Sequence, residues 1–144
     1  MSKENNLERF LSAQERSYET ALAEIKRGRK QSHWMWYIFP QIQGLGYSEP
    51  SNFYAIKDVE EAKEFLLHPV LGERLIRICN ELLKLQERNA NKIFGSSDDL
   101  KFKSSMTLFS FVDTTSVFDQ MLKKFFNGAK DSKTLNIIAN QARQ

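Results

Sequence analysis

Three residues of this sequence have side chains that could act in catalysis. His33 follows a basic segment and precedes a tryptophan, so its imidazole could serve as a general acid or base, or donate to a ligand phosphate. The alternative is that His33 bonds to the backbone at a helix start. Lys101 and Ser105 lie one turn apart on a predicted helix, with Asp98 one step earlier on the same face. This face could bind a polar ligand or hold the serine near an amine, or its residues could satisfy each other's hydrogen bonds at a helix junction.

A second group of residues is predicted to bind a ligand. The run Trp34–Pro40 is apolar or aromatic throughout, contains both tryptophans, and is followed by polar and glycine residues. Aromatic side chains can form the walls of a pocket, glycines allow a close approach of the backbone, and amide or guanidinium groups can contact polar parts of a ligand. On these grounds the predicted ligand-binding residues are Trp34, Trp36, Gln41, Gly44, Gly46, Tyr54 and Arg74.

The sequence carries no recognised motif for a metal or a cofactor. His33 and His68 are far apart, and no His-x-x-x-His, Glu-x-x-His or pair of cysteines occurs. A Walker loop, a Rossmann fingerprint and a Gly-x-Ser-x-Gly elbow are also missing. We therefore predict neither a metal nor a cofactor, and no motif assigns a reaction class.

Composition is that of an ordinary globular protein. The chain has 144 residues, of which 41% are hydrophobic and 27% charged, and a formal net charge of +3. This size predicts one domain covering residues 1–144. The N-terminus is polar, and no apolar stretch approaches the ~20 residues of a transmembrane helix, so neither a signal peptide nor a membrane partner is expected. Because the single cysteine, Cys79, is predicted to be a buried thiol, we expect a reduced, cytoplasmic protein.

Hydrophobic periodicity predicts an all-α fold, a single-domain irregular array of about six to eight helices. Apolar residues recur at three- and four-residue steps over Leu7–Ile25, which predicts a first helix capped by Asn5 or Asn6 and ended by Gly28. The basic residues at its end either complement the helix dipole or form a rim that attracts phosphate. They are Lys26, Arg27, Arg29 and Lys30.

A short second helix is predicted from Ser32, its cap, to about Phe39, where the following proline ends it. Residues 41–57 are then predicted to form a long loop, which in a compact domain is often functional. Asp58 and Glu61 have the spacing of a capping box and predict the start of the next helix.

The second half of the chain is predicted to be helical as well. His68 fixes a corner between two helices, Gly72 indicates close packing just after it, and the helix that follows runs to about Arg88. Short connectors are expected on both sides of Ile93. The remaining predicted boundaries are caps at Asp98, at Thr114, Thr115 or Ser116, and at Asp131 or Ser132, with a helix end at Gly128.

Four segments together resemble a known family. They are Gly28-x-Lys30-x-Ser32-His33-Trp34-Met35-Trp36-x-x-Phe39-Pro40-Gln41, Gly44-Leu45-Gly46-x-Ser48, His68-Pro69-Val70-Leu71-Gly72-x-Arg74-Leu75 and Ser104-Ser105-Met106-Thr107-Leu108-Phe109. With them the chain resembles a bacterial family of proteins of unknown function whose members are sometimes labelled calpastatin. The resemblance covers almost the whole chain and implies an all-α, multihelical fold. It implies no activity that could be carried over.

Two functions follow as expectations. The first is a pocket that binds a small anionic or nucleotide-like ligand and could also hydrolyse it; whether the protein is an enzyme is left open. The alternative is a non-enzymatic interaction module that binds nucleic acid or a protein partner through the basic and aromatic segment 26–37. Nucleic acid is the less favoured partner, because both tryptophans are expected to be buried. The sequence predicts no oligomeric state.

Overall fold

Helices form the regular secondary structure of residues 6–113 and 117–143, the part of the chain that this computed structural model describes. No strand occurs in these residues, and an isolated bridge joins Ile42 to Ile56. The nine helices in this part are α1 Glu8–Lys26, α2 Met35–Ile38, α3 Glu49–Phe53, α4 Val59–Leu67, α5 Leu71–Lys84, α6 Ala90–Phe94, α7 Asp98–Val112, α8 Val117–Phe126 and α9 Ser132–Ala142. None of them is long and apolar enough to cross a membrane. The predicted all-α class is confirmed, with one helix more than the predicted six to eight.

Helix α7 lies at the centre of the array. It contacts α2, α4, α6, α8 and α9, and residues 104–110 are buried without interruption. In a helix enclosed on several sides, most buried polar side chains are hydrogen-bonded within the protein. The Thr107 hydroxyl accordingly donates to the carbonyl of Lys103 at 2.8 Å, and the Ser110 hydroxyl donates to the carbonyl of Thr107 at 3.1 Å. The first turn, 98–101, reaches the surface. Its side chains therefore extend towards solvent from a helix that is mostly buried.

Helices α1 and α5 pack against each other through apolar stripes. Residues that recur at three- and four-residue steps lie on one helix face, which is why both helices were predictable. The stripes comprise Phe10, Tyr18, Ala21, Leu22 and Ile25 on α1, and Leu71, Leu75, Ile78, Cys79 and Leu82 on α5. Cys79 is fully buried, as predicted, and burial raises the pKa of its thiol.

The corner between α4 and α5 is built by a histidine and a glycine, as predicted. The Nδ1 atom of His68 accepts hydrogen bonds from the backbone amides of Val70 at 3.1 Å and Leu71 at 3.3 Å. A Cβ atom on Gly72 would lie 2.0 Å from the carbonyl oxygen of Leu66. The two helices can approach this closely only because position 72 has no side chain.

Two predicted caps are confirmed. The Asp58 carboxylate accepts from the backbone amide of Glu61 at 2.8 Å and begins α4. The Asp131 carboxylate accepts from the backbone amide of Thr134 at 3.0 Å and begins α9. Each carboxylate satisfies an amide that has no partner within its own helix.

Two other predicted caps are wrong, because their side chains bond to different elements. Trp34 occupies the N-cap position of α2, and the Ser32 hydroxyl donates to Glu24 instead. Ser97 occupies the N-cap position of α7, and Asp98 is its first helical residue. Both errors lie at the site described below.

Two short helices were not predicted. The predicted loop 41–57 contains α3, whose cap Ser48 accepts from the backbone amide of Ser51 at 3.2 Å. The predicted connectors around Ile93 enclose α6. Each helix has five residues, which is too few to show a helical period. The N-cap position of α1 is Leu7 rather than Asn6; the other proposed caps, Asn5, Thr114, Thr115 and Ser116, lie outside the described residues.

We predict that Gly72→Ala destabilises the protein. The added methyl group would overlap the carbonyl of Leu66, which is backbone and can move only with its helix. We expect the free energy of unfolding to fall by about 1–3 kcal/mol in urea titrations. The neighbouring exposed position supplies the control, since Glu73→Ala should change this free energy by less than about 0.5 kcal/mol. Equal effects of the two variants would contradict the close contact.

Candidate functional site

A buried carboxylate organises the chain between α1 and α2. Glu24 lies on the buried face of α1 with 3% of its surface exposed. Its Oε1 atom accepts from the backbone amides of Gln31 at 2.8 Å and Ser32 at 2.9 Å, and from the Trp34 indole Nε1 at 2.9 Å. Its Oε2 atom accepts from the Ser32 hydroxyl at 2.5 Å. One side chain therefore sets the path of residues 31–34.

The Glu24 carboxylate remains charged in this buried position because it is fully hydrogen-bonded. Burial alone would raise the pKa of the carboxyl group, but the donors of Ser32, Gln31 and Trp34 outweigh burial and lower the pKa to about 2. The folded-state pKa thus lies below the ordinary value of 4.5. The resulting stabilisation, roughly 3 kcal/mol, is present above about pH 4.5 and is lost as the pH falls towards 2.

Two lysines from different elements share one carboxylate beside this segment. Lys30 Nζ lies 2.8 Å from Asp98 Oδ2, and Lys101 Nζ lies 2.9 Å from Asp98 Oδ1. The Lys101 ammonium also donates to the Ser97 hydroxyl at 3.3 Å. Partial burial alone would raise the pKa of the Asp98 carboxyl, but hydrogen bonds and charges of both lysines outweigh it and lower the pKa. The cluster carries two positive charges and one negative charge.

Each lysine of this cluster also lies over a tryptophan ring. Lys30 Nζ is 5.2 Å from the ring centre of Trp34, and Lys101 Nζ is 5.0 Å from that of Trp36. These distances are within the range of cation–π attraction. Trp34 is 1% exposed and belongs to the core, whereas Trp36 is partly exposed. Of the two tryptophans predicted to be pocket walls, Trp36 is the one that a ligand can reach. We call Lys30, Trp36, Asp98 and Lys101 the lysine–tryptophan site.

A small enclosed cavity adjoins Trp36 and contains two more predicted residues. Its volume is about 10 Å³, and Trp36, Gln41, Leu45, Ser51 and Tyr54 are among the side chains that line it. The Nε2 atom of Gln41 is buried and has no hydrogen-bond partner among the described residues. The structure therefore brings Trp36, Gln41 and Tyr54 together.

The two predicted glycines lie in the loop that covers this cavity. Gly44 adopts a φ of +108°, a conformation that residues with a side chain rarely adopt. A Cβ atom on Gly46 would lie 2.2 Å from the Ser51 hydroxyl oxygen. Both glycines are thus required by the packing of the loop itself.

The three catalytic candidates are not brought together. The Lys101 ammonium bonds to Asp98, with which it was predicted to share a helix face, and it also bonds to Ser97. Ser105 is fully buried in α7, and its hydroxyl has no hydrogen-bond partner among the described residues. His33 is exposed, and its backbone carbonyl accepts from the Tyr37 hydroxyl at 3.5 Å. The predicted Asp–Lys–Ser face is therefore reduced to an Asp–Lys pair.

Arg74 lies at the interface of α1 and α5. Its Nη1 atom donates to Gln14 Oε1 at 3.3 Å, and its guanidinium carbon is 5.1 Å from the ring centre of Tyr18. Gln14 in turn donates from Nε2 to the carbonyl of Tyr37 at 2.9 Å. Within residues 6–113 and 117–143, no contact joins Arg74 to His33 or Lys101. Arg74 supports the helix interface rather than this site.

Larger grooves occur elsewhere on the described surface. One of about 580 Å³ is open to solvent and is lined by residues that include Arg9, Arg16, Phe53 and Tyr54. Arg9 is committed to structure, because it donates to the carbonyls of Phe53 and Ala55 and pairs with Glu61 at 3.3 Å. In the described residues no group of three or more His, Cys, Asp or Glu could hold a metal ion.

Glu24 is the positioning residue that sequence reasoning missed. Ala21 and Ile25 on either side of it belong to the buried stripe of α1. An acid close to a core stripe must find donors if it is to be buried. The signal was therefore present, but the sequence does not show which donors approach it.

We predict that Glu24→Gln lowers the free energy of unfolding at pH 7 by about 2–4 kcal/mol, because one carboxamide oxygen cannot accept all four hydrogen bonds. The loss of stability between pH 4.5 and pH 3 should also be smaller in this variant than in the wild type. Urea titrations at several pH values measure both effects. Glu19→Gln, an exposed change on the same helix, is the control. A variant with the wild-type pH dependence would contradict the low pKa.

Comparison with known proteins agrees with this fold. The chain is similar to the crystal structure of the conserved hypothetical protein Rv1873 from Mycobacterium tuberculosis, with a TM-score of 0.91 and 40% sequence identity. That match covers 93% of this chain and 96% of the mycobacterial chain. No curated protein matches this chain. The family model described as protein of unknown function, DUF1810, matches residues 4–138. The resemblance found in the sequence is therefore confirmed, and the chain belongs to the DUF1810 family.

Proposed function

We propose that the protein binds a small anionic ligand, such as a nucleotide or a sugar phosphate, at the lysine–tryptophan site. The observation that carries the proposal is that Lys30 and Lys101 share a single carboxylate, that of Asp98. The cluster keeps an excess positive charge in a place where both lysines are at least partly shielded from water. An anion there interacts more strongly than at a fully exposed lysine.

Hydrogen-bonding capacity supports the same proposal. An ammonium group has three donors. Within the described residues, Lys30 uses one of them on Asp98, and Lys101 uses two, on Asp98 and Ser97. Both lysines therefore retain donors for a phosphate or carboxylate, and the partly exposed ring of Trp36 lies beside Lys101. The proposal is limited to binding, because Ser105, the candidate nucleophile, is buried away from solvent.

An interaction module that uses segment 26–37 is the second candidate. Its supporting observation is that Lys26, Arg27 and Arg29 are exposed. Against it, the ring of Trp34 is buried and cannot stack on a base. Binding to single-stranded oligonucleotides that weakens steeply with salt would favour this second candidate over the first.

A thermal-shift screen with nucleotides, ADP-ribose and sugar phosphates tests the proposal. A compound at 100 times its dissociation constant should add about 2.7 kcal/mol of stability. Lys101→Met should weaken binding of that compound by about tenfold, because a hydrogen bond to a charged group is lost. Lys84→Met is the matched control, since Lys84 forms a surface ion pair with Glu81 on α5. A screen without any stabilising compound would contradict the proposal.

Asp98→Asn should act in the opposite direction. The wild-type carboxylate competes with a ligand anion for both ammonium groups. Its neutralisation should therefore tighten binding several-fold in low-salt titrations, and the gain should shrink as the salt concentration rises. Unchanged or weaker binding at low salt would contradict the role that we assign to the excess charge.

A further inference from the structure

The cavity beside Trp36 has the features of a closed binding site. It is lined by two aromatic side chains, Trp36 and Tyr54, by Leu45, and by the polar side chains of Gln41 and Ser51. Aromatic walls with a few polar groups are the usual composition of a small-molecule site. Its present volume of about 10 Å³ has room for about one water molecule.

Gln41 has a hydrogen-bond donor for which the described residues offer no partner. Its backbone is fixed, because its carbonyl accepts from the amide of Ile56 at 2.8 Å. Its Nε2 atom is buried and without a hydrogen-bond partner among the described residues. A buried donor without a partner is costly and uncommon in proteins. An acceptor atom of a ligand would satisfy it.

The cavity is covered by a loop with few backbone hydrogen bonds. We call residues 43–48 the cover loop. It is anchored at its ends, where the amide of Gln43 donates to the carbonyl of Ile56 at 2.7 Å and the carbonyl of Ser48 accepts from the amide of Asn52 at 3.0 Å. Between these anchors, within the described residues, no backbone amide from Gly44 to Tyr47 donates to a backbone carbonyl. Tyr47 at its tip is 92% exposed.

Trp36 connects this cavity with the lysine–tryptophan site. The same ring that lines the cavity lies 5.0 Å from the Lys101 ammonium. A ligand whose planar group lies in the cavity and whose charged group extends past Trp36 would reach Lys101. This is the arrangement of a base and a phosphate in a nucleotide.

We propose that the ligand is a nucleotide whose base binds between Trp36 and Tyr54 and accepts a hydrogen bond from Gln41 Nε2. A base is far larger than the present cavity, so the cover loop moves aside when it binds. The inference rests on the proposed function, because Lys101 is assigned to the phosphate. It adds the chemical class of the ligand and two residues, Gln41 and Tyr54, that recognise its base.

Calorimetric titrations with adenosine monophosphate, uridine monophosphate and ribose 5-phosphate test the inference. All three compounds offer the same phosphate to Lys101, so differences between their affinities measure the contribution of the base. We expect at least one nucleotide to bind ten or more times more tightly than ribose 5-phosphate. Gln41→Leu, which keeps the size of the side chain and removes the donor, should abolish most of this difference and leave ribose 5-phosphate unaffected. Gln43→Leu, an exposed change on the cover loop, should alter neither the affinity difference nor the binding of ribose 5-phosphate.

The outcomes separate the two proposals. If ribose 5-phosphate binds, and Lys101→Met weakens it, while no nucleotide binds more tightly, the base site is overturned and the anion site stands. A nucleotide preference that survives Gln41→Leu undiminished also overturns the base site. If none of the three compounds binds, the base site is overturned, and the thermal-shift screen decides on the anion site. Circular dichroism of each variant verifies that the helices are intact.

Discussion

The buried carboxylate of Glu24 is the interaction on which the rest of this site depends. It binds two backbone amides, a hydroxyl and an indole within four consecutive residues, 31–34. An apolar contact could bury the same residues but could not define their backbone path, since dispersion has no direction. Hydrogen bonds to a charged acceptor have a defined geometry and are stronger than neutral ones. Lys30 and Trp36, on either side of this segment, are placed by it.

Helix α7 gives the site its second fixed part. Seven consecutive buried residues hold this helix among five others, and its first turn presents Asp98 and Lys101 at the surface. A charged group on a rigid helix loses little conformational freedom when it binds a ligand, which is an advantage for affinity. The cover loop is the opposite kind of element, with few backbone hydrogen bonds between its ends. In our proposal, rigid recognition groups are thus combined with a cover that moves when the ligand binds.

Sequence reasoning succeeded where structure follows from neighbours along the chain. The stripes of α1 and α5, the cap at Asp58 and the close contact at Gly72 depend on residues at most a few positions apart, or on the absence of a side chain. Sequence reasoning failed where a side chain bonds to a partner that is distant in the sequence. Serine is a residue type that often caps a helix, yet the Ser32 hydroxyl donates to Glu24 on α1 instead of capping α2.

The sequence predicted most residues of the candidate site, but it did not predict which of them lie close together. Trp36, Gln41, Tyr54 and Lys101 were singled out from their types and contexts. Trp36 lines one cavity with Gln41 and Tyr54, and its ring lies beside the Lys101 ammonium. Arg74 was grouped with them, yet it packs on Tyr18. The separation of core from site needs the three-dimensional arrangement, as Trp34 and Trp36, two positions apart, illustrate. The period of an α-helix gives no answer for a helix of four residues such as α2.

The two tryptophans provide the most direct test that Trp36 lies in a ligand site and Trp34 in the core. A ¹H–¹⁵N spectrum contains one indole signal from each, and Trp36→Phe assigns them. During titration with adenosine monophosphate, the account predicts that the Trp36 signal shifts with ligand concentration, and that the Trp34 signal, whose indole Nε1 is bonded to Glu24, shifts less. A titration that moves the Trp34 signal and leaves the Trp36 signal unchanged, or that moves neither, would contradict the account.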